Sequence, residues 1–70
     1  MKVKITSPFI RLDALLKLSG AVITGGQAKL AVQNGQVFLN GEVCLMRGKK
    51  LTPGDKITYQ DKEIEVCCEG

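Results

Sequence analysis

The chain has 70 residues and a formal net charge of +3, enough for one small domain over residues 1–70 and too short for a deep catalytic cavity. It has no histidine, and its three cysteines (Cys44, Cys67 and Cys68) form no CxxC, so a zinc site, a disulfide scaffold and histidine-based acid–base chemistry are all disfavoured. No stretch approaches the ~20 apolar residues that span a bilayer, and the polar break at Thr6-Ser7-Pro8 argues against a signal peptide.

In chain order, Val3 and Ile5 alternate with Lys2, Lys4 and Thr6, a short strand pattern. Ser7 fits a helix N-cap and Pro8 a first-turn position, which predicts a first helix from there to Leu18 or Ser19, ended by Gly20. Ile10, Leu12, Ala14, Leu15, Leu16 and Leu18 make that helix apolar over most of its circumference, with Asp13 and Lys17 as an i,i+4 surface pair. A second, shorter helix starts near Thr24 or Gly25 and stops at Asn34-Gly35, with Ala28, Ala31 and Val32 as its inner stripe.

Strands follow. Val37 and Leu39 face one side and Phe38 the other, and Asn40-Gly41 is a strong two-residue hairpin signal, with Glu42 to Leu45 returning. Pro53-Gly54-Asp55 marks a turn. Ile57-Thr58-Tyr59 and Ile64-Glu65-Val66 pair around Gln60-Asp61-Lys62. The expected class is α+β: two helices packed on a small, mainly antiparallel sheet of four to five short strands. A domain this small is expected to be only modestly stable, ~3–5 kcal/mol.

Charge is unevenly placed. Residues 1–50 hold eight Lys/Arg against two acids, a balance of +6, whereas residues 51–70 hold two against five, a balance of −3. A basic face suited to phosphate is one consequence; unevenly solvated charge is the plainer alternative. Two places concentrate the positive potential. Thr24-Gly25-Gly26 opens the second helix, where unpaired N–H groups and the helix dipole favour an anion, and Lys29 follows about one turn later. Arg47-Gly48-Lys49-Lys50 is the densest cationic run and sits between strands. Arg11 and Lys17 add two cations on the first helix, Lys17 serving equally as the partner of Asp13. A plain cap and a solubilising turn are the structural alternatives at these sites.

In their order and spacing, these residues resemble the RNA-binding domain named after ribosomal small-subunit protein four, whose core is a helix-turn-helix called the αL motif. The residues that carry the likeness are Arg11-Leu12-Asp13, Ala28-Lys29, Gly35-Gln36-Val37-Phe38-Leu39-Asn40-Gly41, Arg47 to Lys50, and Pro53-Gly54-Asp55. The match is closest to a stand-alone bacterial branch marked by Leu16-Lys17, Thr24 to Lys29 and Arg47 to Leu51. Gly25 stands where the wider family has arginine, and Met46 where the branch commonly has one.

The resemblance implies an αL motif over about residues 9–50 and a non-catalytic module that grips phosphates of structured RNA. The RNA would be ribosomal or tRNA-like, or that of a ribosome-assembly intermediate, and the ribosomal subunit would be a partner. Arg11, Lys17, Thr24, Gly25, Gly26, Lys29, Arg47, Lys49 and Lys50 are the candidate contacts. No catalytic residue, metal or cofactor is expected; a cytoplasmic monomer with no membrane partner is. Two other classes stay open: a protein-interaction adaptor using the acidic 61–69 segment, and a ubiquitin-like sulfur carrier, which shares the Asn40-Gly41-Glu42 hairpin but needs a terminal Gly-Gly where this chain has Glu69-Gly70.

Overall fold

The computed structural model describes residues 1–68. Glu69 and Gly70, the pair that bears on sulfur-carrier chemistry and the end of the acidic segment, lie outside the described residues. The architecture is α+β. Strands β1 (Lys2–Ile5), β7 (Lys62–Cys68), β6 (Lys56–Tyr59), β3 (Val37–Leu39) and β4 (Glu42–Val43) form one sheet in that spatial order. A two-residue ladder joins β2 (Ile10–Arg11) to β5 (Lys50–Leu51). Helices α1 (Leu12–Leu18) and α2 (Gly25–Gln33) complete the fold.

The sheet is antiparallel except at one edge, where β1 runs parallel to β7 with Val3 opposite Val66. A parallel pair between the first and last strands needs a long crossover, which here is the whole intervening domain. Leu12, Leu15 and Leu16 of α1, Ala28, Ala31 and Val32 of α2, and Val37, Ile57, Ile64 and Val66 of the sheet make one aliphatic core, joined by Leu51 of β5.

The first helix begins later than the Ser7-Pro8 pattern predicts. The Ser7 hydroxyl donates to the Phe9 carbonyl at 2.8 Å and so closes a local turn instead of capping a helix. Ile10 and Arg11 are strand residues, and Arg11 occupies the N-cap with no side-chain cap bond. The first helical N–H groups find distant backbone acceptors: Leu12 donates to the Lys49 carbonyl at 2.9 Å and Asp13 to the Arg47 carbonyl at 3.0 Å. The tertiary ladder supplies what a cap would otherwise supply. Leu18, expected in the apolar face, is 62% exposed. The Asp13 carboxylate turns to Arg11, 3.5 Å away, and not to Lys17.

Local signals elsewhere match the structure. Thr24 is the N-cap of α2, its hydroxyl oxygen accepting the Gln27 N–H at 3.2 Å. The helix ends in a Schellman motif: Gln36 N–H donates to the Ala31 carbonyl and Gly35 N–H to the Val32 carbonyl, both at 3.1 Å, with Gly35 at φ +70°. Asn40 (φ +51°) and Gly41 (φ +90°) form the left-handed pair of a tight hairpin. The return strand is shorter than expected: β4 stops at Val43, and Leu45 and Met46 are exposed as the chain turns toward α1.

Candidate RNA-binding surface

The predicted contacts fall into two groups. The first is built around the β2–β5 ladder, which sets Arg11 directly opposite Lys50. The two backbone bonds from Leu12 and Asp13 fix the Arg47–Lys49 turn over the start of α1, and Lys49 N–H closes that turn on the Met46 carbonyl at 3.1 Å. These bonds engage the Met46, Arg47 and Lys49 carbonyls, while the Arg11, Arg47, Lys49 and Lys50 side chains all remain exposed.

Two contacts order this group further. The Arg11 guanidinium lies over Gly48, so that a Cβ at position 48 would be 3.6 Å from Nη2. It also meets Asp13 at 3.5 Å, a partly exposed pair that neutralises some of its charge without burying it. The Lys50 ammonium sits 4.9 Å from the centroid of the Phe9 ring. A cation over a ring face at this range is favourable by about 0.5–1 kcal/mol at an exposed site. Sequence reasoning passed over Phe9, because the contact exists only once β2 pairs with β5.

The second group is the start of α2. Thr24 spends its oxygen on Gln27, and Ala28 N–H makes the first intrahelical bond, to the Thr24 carbonyl at 3.2 Å. Among the described residues, the Gly25 and Gly26 N–H groups make no hydrogen bond, and nothing beyond the adjoining backbone lies within 4 Å of a Cβ placed on Gly25. The backbone is therefore open to close approach. Gln27 stiffens this turn: its Oε1 accepts the Ile23 N–H at 2.7 Å. It was not among the expected residues, although the Thr-x-x-Gln spacing of a capping box would have found it. Lys29 is exposed on the same helix.

No hydrogen bond or ion pair among the described residues links the two groups, and Lys17 stands apart in the last turn of α1. Among the described residues no cluster of Cys, Asp and Glu is arranged to hold a metal ion, and no helix is long and apolar enough to cross a membrane.

Known proteins share this arrangement. The pattern described as the S4 domain matches residues 3–67. The YbcJ proteins of Escherichia coli (strain K12) and Shigella flexneri are each 34% identical over 59 residues, 84% of this chain and 84% of theirs. The solution structure of YbcJ from E. coli, described as revealing an αL motif involved in RNA binding, superposes with a TM-score of 0.73 at 30% identity. That match covers 94% of this chain and 85% of the other.

Proposed function

Because this chain belongs to the S4 domain family, we propose that it is a non-catalytic, single-domain RNA-binding protein that grips phosphates of structured RNA. The observation that carries this reading is the fixed loop at 47–50. Its Arg47 and Lys49 carbonyls are committed to α1, and its cations, with Arg11 alongside, are exposed on a backbone tied down at those two points. Side chains presented in this way meet a phosphate without first ordering a loop, so less conformational entropy opposes binding. The open N–H groups of Gly25 and Gly26, with Lys29, are the second grip. The αL motif described for the E. coli YbcJ structure as involved in RNA binding supports the same reading.

The expected target is ribosomal RNA or a ribosome-assembly intermediate in the cytoplasm, recognised as a monomer through shape and phosphate position. Crosslinking in cells followed by sequencing of the bound RNA tests this. Enrichment of ribosomal RNA at a few positions is the expected result. A crosslink profile that follows total RNA abundance contradicts it.

A further inference from the structure

Between α2 and the turn joining β6 to β7 lies a groove of about 350 Å³. Four of its lining side chains are amides (Gln27, Asn34, Gln36 and Gln60), with Tyr59 among them, and none of its lining residues is charged. In a chain with ten Lys/Arg and seven Asp/Glu, that neutrality sets the groove apart from both cationic groups. A phosphate has no counter-charge there. A neutral ligand with donors and acceptors on one edge does have partners, because each amide offers both on one plane.

These amides have capacity to spare. The Asn34 and Gln36 side chains make no hydrogen bond among the described residues. Gln60 reaches Tyr59 Oη only at 3.5 Å, and Gln27 commits its oxygen to Ile23 while keeping its NH₂ free. Among the other lining residues, the 59%-exposed Leu30 and the half-buried Ala21 add apolar surface for a flat body to rest on. Gln27 is also the third residue of α2, next to Gly26, so the groove opens beside the proposed phosphate grip.

We propose that this groove receives an unpaired nucleobase, hydrogen-bonded on its edge by the amides, while its backbone phosphate lies at the start of α2. This inference rests on the RNA-binding reading. Structured RNA displays such bases at bulges and loops, and asparagine and glutamine side chains pair with base edges, adenine above all.

The test uses the full chain and three RNA hairpins of one stem: with a bulged adenosine, with an abasic residue in the bulge, and fully paired. Binding to the adenosine bulge is expected to be at least about fivefold tighter than to the abasic bulge. The side-chain NH₂ resonances of Asn34, Gln36 and Gln60 are expected to shift with the first RNA only. Gln36→Leu and Asn34→Ala are expected to abolish the preference and leave the salt dependence of binding intact; Gln36→Ala replaces the leucine variant if that one fails to fold. Equal affinity for the two bulges, or a preference that survives both substitutions, overturns the groove assignment while salt-dependent RNA binding stands. No salt-dependent binding to any of the hairpins overturns the RNA reading and the groove with it.

Discussion

Asn40 does two jobs with one side chain. Its backbone takes the left-handed conformation of the hairpin, and its amide ties that hairpin to the Pro53-Gly54-Asp55 turn: Nδ2 donates to Asp55 Oδ1 at 3.2 Å, and Oδ1 accepts the Lys56 N–H at 3.0 Å. Asp55 in turn accepts the Thr52 N–H at 2.9 Å. Asn40→Ala removes both hydrogen bonds and puts in the turn a residue without the local side-chain bonding that lets asparagine take positive φ. A loss of about 1–3 kcal/mol is expected, read as a lower urea midpoint at unchanged slope. Lys50 is also doubly used, as a candidate phosphate contact and over Phe9. Lys50→Ala is expected to lower the log–log salt slope of RNA binding by about 0.7. Phe9→Leu, which removes the ring but not the charge, is expected to leave that slope unchanged and to cost about 0.5–1 kcal/mol of stability. Slopes read from fluorescence titrations separate the two.

At the scale of elements, what depends on near neighbours was legible in the sequence. Thr24 caps α2 through a residue three positions on, Gly35 ends it, and Asn40-Gly41 turns the hairpin; each signal is complete within a few residues. Gly35→Ala is therefore expected to cost about 1 kcal/mol or more in thermal unfolding. The cause is the backbone: φ is +70°, while the nearest atom to a new Cβ, Val43 Cγ2 at 3.7 Å, is an ordinary contact. The start of α1 was not legible. Ser7-Pro8 has the residue types of a helix start, but the β2–β5 ladder and the Lys49 and Arg47 carbonyls outcompete it from far along the chain. The parallel pairing of β1 with β7 was hidden for the same reason. In the candidate site, the density of charge at 47–50 was readable, whereas its attachment to Arg11 and the stacking on Phe9 depend on that same long-range ladder. The amide groove joins α2 to the β6–β7 turn and has no sequence motif at all.

For the whole molecule, four of the eight cations of residues 1–50 (Arg11, Arg47, Lys49 and Lys50) gather at the start of α1 and Lys29 lies on α2, while Lys2 and Lys4 sit on β1 beside the acidic β7 and Lys17 ends α1. The cluster at the start of α1 favours approach of a polyanion to that end of the fold, and salt screens it. If cations on the 47–50 loop and open N–H groups on α2 grip RNA phosphates, the dissociation constant must rise with salt. With about four or five phosphates neutralised, the single-strand relation gives an expected log–log slope of roughly −3 to −3.5 for titration of a structured RNA across a series of potassium chloride concentrations. Arg47→Ala and Lys49→Ala are each expected to reduce it by about 0.7. A slope near zero, or one that neither substitution changes, would show that these groups do not hold the RNA through its phosphates.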